Sequence, residues 1–428
     1  MIETIRNAWK IPDLRRKLLF TLFILLIYRL GASIPVPFID QTALQAMFSS
    51  TFSNTFFGFM DVMSGGAFSY ATVFALSIQP YINAQIIIQL LTVAIPALER
   101  LQKEEGEEGR KKLEKITRYV TVAIALLTGF AYYTTIRNFG FVTESGFWTG
   151  LVIVLSFTAG SAFIMWLGEQ ITEFGIGNGI SIILFTSIVS RFPTMFTSLA
   201  NYVREGRISW LTVVLLLIGM ILVVAFVVFI TNAERRIPVQ YAKRVVGRKM
   251  YGGQSTHLPL KVNMSGVMPI IFAQSIATFP ATIAAFFPAP KEGTFWAGVL
   301  KGIENTSLIY ALILFILIIA FSYFYAAIQF NPQEIANNMK KNGGFVPGFR
   351  PGKPTSDFIG KVLRKITLFG ALFLGIIAIL PIILNKAINI AGLSIGGTSL
   401  LIVVGVALET VKELEAQMMM RHYKGFLE

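Results

Sequence analysis

The side chains able to do chemistry are few, and their placement argues against making or breaking bonds. The 428 residues contain no cysteine and two histidines, His257 and His422. Disulfides, thiolate chemistry and a Cys/His zinc site are thereby excluded. No Ser/His/Asp set or carboxylate pair falls where catalysis would use it. Gly352-Lys353 is followed by Pro354 and lacks the upstream glycine of a phosphate-binding loop. Amides stand out instead. The stretch FALSIQPYINAQIIIQLL, residues 74–91, carries Gln79, Asn83, Gln85, Gln89 and Pro80 in an apolar run without charge. On a helix turning 100° per residue, Ile78, Ile82, Gln85 and Gln89 fall within about 60° of one another. That stripe is apolar near Pro80 and amide-lined beyond it. A water-filled funnel narrowing to an aliphatic constriction fits the gradient. A packed stripe whose amides bond across helices is the plainer alternative. Aliphatic side chains at a constriction keep water and ions out, yet flex around a thick permeant, which neutral amides solvate without trapping.

The elements that must position these residues are membrane spans. With 54% hydrophobic and 14% charged residues, the composition is that of a polytopic membrane protein. Ten spans are expected, at about 18–34, 73–97, 116–136, 149–168, 179–197, 209–231, 263–288, 307–328, 366–385 and 394–411. Each approaches the ~20 residues a bilayer requires. The first apolar run leads into GASIPVPF, not into a signal-cleavage pattern.

Lysine and arginine set the orientation. Most of the 37 lie in the N-terminal arm, the 2/3, 6/7 and 8/9 loops and the tail. The opposite face keeps Arg137, Arg191, Arg204, Arg207, Lys291, Lys301 and Lys386, and Arg29 falls within the first span. Both termini are therefore expected in the cytoplasm. The 2/3 loop balances its bases with glutamates. The 6/7 loop (about 232–262) has one acid, Glu234, and the 8/9 loop (about 329–365) has Glu334 and Asp357. Both are too long for simple connections and read as docking surfaces as well as orientation signals. The net charge of +14 suits acidic partners, including anionic lipid.

Ten spans divide into five and five, giving halves 1–203 and 204–428. An odd number per half makes matching halves inverted repeats. Pro80 interrupts the second span of one half; Pro269 and Pro280 interrupt its counterpart. Apart from Arg29 near one end of the first span, no ionisable residue lies mid-span, which argues against ion coupling. NTFFGFMDVMSGGAFSY, residues 54–70, is too short to span. It reads either as a re-entrant plug buried in protein or as an interfacial loop. The chain reads as a passive conduit whose energy comes from elsewhere, with no cofactor.

Five long blocks, in order, resemble the SecY family along nearly the whole chain. They are FALSIQPYINAQIIIQLLTV (74–93), MWLGEQITEFGIGNGISII (165–183), NMSGVMPIIFAQSIATFPATI (263–283), NPQEIANNMKKNGGFVPGFRPGKPT (331–355) and GGTSLLIVVGVALETVKELEAQ (396–417). The resemblance implies an all-α polytopic membrane protein with ten transmembrane helices in two inverted five-helix halves around a central pore. Matched by motif, the pore ring is Ile78, Ile82, Ile180, Leu184, Ile271 and Ile402. The plug is about 56–68, with Phe57, Gly58, Met60, Asp61, Met63, Gly65 and Gly66. Gln85, Thr92 and Gln274 line a lateral gate between spans 2–3 and 7–8. Arg235, Arg236, Lys243, Arg244, Arg248, Lys249, Arg350 and Lys353 form a docking face for the SecA ATPase or the ribosome. Expected partners are SecE, SecG and signal-bearing preproteins, in a bacterial cytoplasmic membrane. A small-solute transporter and a poreless insertase or scaffold are the rival classes.

Overall fold

The computed structural model describes residues 2–48, 56–103, 105–144, 146–206, 209–241, 244–246, 249–251, 255–264, 266–284, 302, 307–388 and 397–424. Helix α1 (Ile2–Lys10) precedes α2 (Pro12–Gly31), which starts on Pro12, where a missing N–H costs nothing. Ala8, Leu14, Ile176 and Leu414 pack together and tie the two termini to each other. Helix α3 (Gln41–Met47) is capped by Asp40, whose carboxylate accepts from the Thr42 and Ala43 amides. Then come α4 (Phe56–Met63), α5 (Gln79–Ala94) and α6 (Pro96–Lys103), the last two bent by 106°. Helices α7 (Gly106–Asn138), α8 (Phe147–Phe174), α9 (Gly179–Val189) and α10 (Phe192–Arg204) follow.

The second part begins with α11 (Trp210–Asn232). Strands β1 (Glu234–Tyr241), β2 (Arg244–Val246), β3 (Lys249–Tyr251) and β4 (Ser255–Lys261) lead to α12 (Met268–Ala284) and α13 (Leu308–Gln329). Helix α14 (Pro332–Lys341), strand β5 (Gly344–Phe345), α15 (Lys353–Ile388) and α16 (Gly397–Lys424) complete the described chain.

Each of the ten expected spans falls on one or two of these helices. Among the described residues, six segments are long and apolar enough to cross a membrane on those grounds alone, or seven if the bent α5–α6 pair is counted. The others miss the criterion for visible reasons. Helix α2 carries Asp13, Arg15, Arg16, Lys17 and Arg29. The described apolar run of α12 is short, and α16 runs into Glu409, Lys412 and Glu413. Helix α11 turns Leu211, Leu215, Ile221, Leu222 and Phe229 outward, as a lipid-facing helix does.

Two expectations change in detail. Pro80 and Pro269 do not break helices; they sit in the first turns of α5 and α12, where proline is at home. The break expected at Pro80 lies just before it, where Ser77 adopts a left-handed φ of 51°. Pro280 does lie inside α12. The helical pattern also omitted a sheet. Strands β4, β1 and β5 form an antiparallel sheet in that order, with Ile237 opposite Leu258 and Gln240 opposite Phe345. It joins the 6/7 and 8/9 loops over a small core of Ile237, Val239, Leu260, Met339, Val346 and Ile359.

Close backbone contacts rest on glycine. A Cβ at Gly160 would lie 1.9 Å from the Val73 carbonyl oxygen, and one at Gly179 would lie 1.9 Å from that of Gly168. Small residues let membrane helices approach backbone to backbone.

Candidate functional site

Four of the six ring candidates line one small cavity. Ile82 of α5, Leu184 of α9, Ile271 of α12 and Ile402 of α16 surround it with Met63, Gln79, Gln274 and Ser275. The four aliphatic residues are 3%, 1%, 7% and 1% exposed, so they converge inward from four separate helices. The cavity holds about 10 Å³ of free volume. One water needs roughly 10–15 Å³ and several polar partners. Ile78 and Ile180 are not on this cavity. Both approach Gly168 of α8, where their side chains would lie 3.5 and 3.6 Å from an added Cβ. Ile78 is fully buried, and Ile180 packs partly buried against the same core.

Residues of the expected plug lie directly against this cavity through Met63. Asp61, Met63, Gly58 and Gly66 are buried, and Phe57, Met60 and Gly65 partly so. From Ser64 to Ile78 the backbone is irregular, with left-handed φ at Gly65, Gly66, Ala71 and Ser77. Several of its polar groups find partners inside the protein. Tyr132 donates to the Phe68 carbonyl at 2.5 Å, Ser161 to that of Ser77 and Ser77 to that of Met63. Irregular backbone at membrane depth requires such internal partners.

The gate candidates divide. Gln85 is partly buried. Thr92 is buried and donates back to the Gln89 carbonyl at 2.7 Å. The Gln274 side chain is buried on the same cavity as Ile82 and Ile271, and its Oε1 has no hydrogen-bond partner among the described residues. Sequence reading missed two hydrogen bonds that join α5 to the second part of the chain. Gln79 Nε2 donates to Ser275 Oγ at 3.1 Å, and Tyr325 of α13 donates to Gln89 Oε1 at 2.6 Å. The glutamines were visible in sequence; their partners lie about two hundred residues away and left no local signal.

On the sheet module of the two long loops, Arg235 and Arg236 of β1 are exposed, and Arg236 pairs with Glu234 at 2.7 Å. Arg350 and Lys353 are exposed at the start of α15, where Thr355 donates to the Arg350 carbonyl at 2.8 Å. Arg244 and Lys249 belong to the β2–β3 hairpin. Lys243 and Arg248 lie outside the described residues. Because Gln240 pairs with Phe345, the two basic loops form a single surface element.

Comparison with known proteins agrees with this architecture. The SecY family model matches residues 72–411. The protein translocase subunit SecY of Streptomyces scabiei is 45% identical, with all of both chains aligned. Two solved structures share the fold. One is a SecY whose plug domain stabilises the closed state of the translocation channel and maintains a membrane seal (18% identity, 97% of each chain, TM-score 0.66). The other is Sec61 in a canine ribosome–channel complex from the endoplasmic reticulum (16% identity, 97% of each chain, TM-score 0.63). The chain is a multi-pass membrane protein and belongs to the SecY family.

Proposed function

We propose that this chain is a protein-conducting channel that passes unfolded secretory polypeptides across the cytoplasmic membrane and releases apolar segments sideways into lipid. The observation that carries the reading is the convergence of Ile82, Leu184, Ile271 and Ile402 from four helices on one small cavity, with Met63 against it. Such a constriction hinders ions by excluding water, and its side chains move aside for a peptide. Gln79, Gln85, Gln89 and Gln274 offer neutral hydrogen bonds to the moving chain. Segments 1–203 and 204–428 act as the two halves of the channel. Residues 56–68 close it from the extracytoplasmic side, and α5, α12 and α13 bound the lateral gate. Partition through that gate follows membrane-transfer energetics, with charged residues costing about 2.5–3.5 kcal/mol at mid-depth.

The channel makes and breaks no bonds. Its driving force comes from a SecA motor or a translating ribosome docked on the module that carries Arg235, Arg236, Arg350 and Lys353, with both termini on the same cytoplasmic side. SecE and SecG complete the membrane complex, and the basic loops meet anionic lipid. Reconstitution with SecE, SecG and SecA in proteoliposomes tests the reading. A signal-bearing client should become protease-protected in an ATP-dependent manner, and Arg350→Glu should lower motor stimulation without lowering Tm. Uptake of small solutes without a soluble partner, and none of the client, would replace the channel with a transporter.

A further inference from the structure

A set of polar contacts that the pore itself does not use converges on the plug segment. Asp61 of α4 is 5% exposed, and its Oδ1 accepts from the Ser69 amide at 2.8 Å. Its Oδ2 pairs with the Arg191 guanidinium, which stands at the break between α9 and α10. Arg29, in the last turn of α2, donates from Nη1 to Ser190 Oγ at 3.1 Å and to the Gly65 carbonyl at 3.4 Å. One residue earlier, the Tyr28 hydroxyl lies 2.7 Å from Ser187 Oγ and 3.4 Å from the Ser64 carbonyl oxygen. Gly65, at φ +67°, allows this approach. A Cβ there would fall 2.8 Å from Ser190 Oγ and 2.9 Å from the Ser187 carbonyl oxygen. Every one of these partners precedes residue 204, so the segment is fastened to the half that carries it.

We propose that Arg191 and Arg29 form a charge latch for residues 56–69, in which Arg191 is the positioning residue that holds Asp61 and sets how rarely the idle pore opens. The inference rests on reading residues 56–68 as the plug of a channel. A buried carboxylate is tolerated only where a cation meets it, and Arg191 fixes that place. When the segment leaves, Asp61 returns to water, but Arg191 and Arg29 remain as like charges on either side of Ser190. Re-entry of the carboxylate relieves that repulsion, so the closed arrangement is favoured from both sides. Neutralising one partner strands the other, which is costlier than removing both. Charge, rather than shape alone, therefore selects the closed state.

The test uses the complex with its membrane partners in proteoliposomes, reading ion leak of the idle channel and ATP-dependent client protection. The wild-type complex must protect the client; if it does not, the channel reading fails and the latch with it. Given a working wild type, Arg191→Gln and Asp61→Asn should each raise idle leak about tenfold or more, because the first leaves the buried Asp61 carboxylate unpaired and the second leaves Arg191 and Arg29 without the carboxylate. Arg191→Lys, which keeps the charge, should stay close to wild type. A chain carrying both Asp61→Cys and Arg191→Cys strands neither charge. Oxidation should block its translocation and reductant should restore it. Wild-type tightness in Arg191→Gln, or full translocation by the oxidised cysteine pair, overturns the latch. Loss of the assembled complex in all of these variants would assign the ion pair to folding and overturn it as well.

Discussion

At the constriction, Ile82, Leu184, Ile271 and Ile402 present aliphatic surface to one another from four helices. Beside it, the segment from Asp61 to Ser69 is fixed by directed contacts to Tyr28, Arg29, Tyr132 and Arg191. The two regions must do different things. A seal that has to yield to any sequence needs contacts without direction, since dispersion and burial tolerate rearrangement. A segment that has to return to one place needs contacts that fail unless geometry is restored, which hydrogen bonds and ion pairs supply. Softness in one region and specificity in its neighbour are both required of a pore that closes after variable cargo.

The largest effect should come from making the soft region polar. Ile82→Ser combined with Ile271→Ser removes several buried carbons, at about 0.8 kcal/mol each, and supplies hydroxyls that hold water. Idle ion conductance should rise well over tenfold. An unchanged conductance in planar bilayers would show that the seal lies elsewhere. Next in size is the directed region. Gly65→Ala places a side chain at φ +67° against Ser190 and Ser187, where left-handed backbone alone costs roughly 1–2 kcal/mol. The plug should seat less well and Tm of the purified complex should fall by a few degrees. An equal Tm with an equal leak would mean that the glycine is not needed there.

A smaller effect is expected where the two parts of the chain meet. Tyr325→Phe removes the hydrogen bond to Gln89, worth about 1 kcal/mol net. Cysteines placed at Gln79 and Ser275 should then cross-link more slowly, about fivefold by that figure. No change in rate would make the contact incidental to the gate. The smallest effect concerns α3. The Thr42 hydroxyl and the Ala43 amide hold the Asp40 carboxylate below its ordinary pKa. A depressed carboxylate pKa contributes stability above the unfolded value, about 3.9, and loses it as pH falls through the folded value. Protection of the Thr42 and Ala43 amides, taken as exchange rate relative to the intrinsic rate at each pH, should fall only on that acid side. An equal fall in protection near neutrality would point to a cause other than the cap.

Much of this division was legible in the residues. Apolar length placed the helices, because a bilayer demands it whatever the tertiary context. Ile82, Leu184, Ile271 and Ile402 reach one cavity, but Ile78 and Ile180 turn toward Gly168, a choice made by the helix start at Gln79 and by α8 packing. The stripe argument assumed regular helix through Ile78 and could not foresee that start. Asp61 was recognised within the plug, whereas Arg191 read as one stray base on the far face; their pairing is a tertiary fact. The sheet of the two long loops left a period-two trace in Ile237, Val239 and Tyr241, overshadowed by the charge of the same loop. Ser275 and Tyr325 carried no signal at all, since a single hydroxyl on a membrane helix is commonplace.

The central claim is that the peptide threads the aliphatic constriction. Photo-crosslinkers placed singly at Ile82, Ile271 and Ile402, and at the lipid-facing Leu215 as a control, would be tested against a secretory chain arrested midway. The account predicts adducts from all three inward positions and none from Leu215. Adducts from Leu215 with silence at the three isoleucines would contradict it.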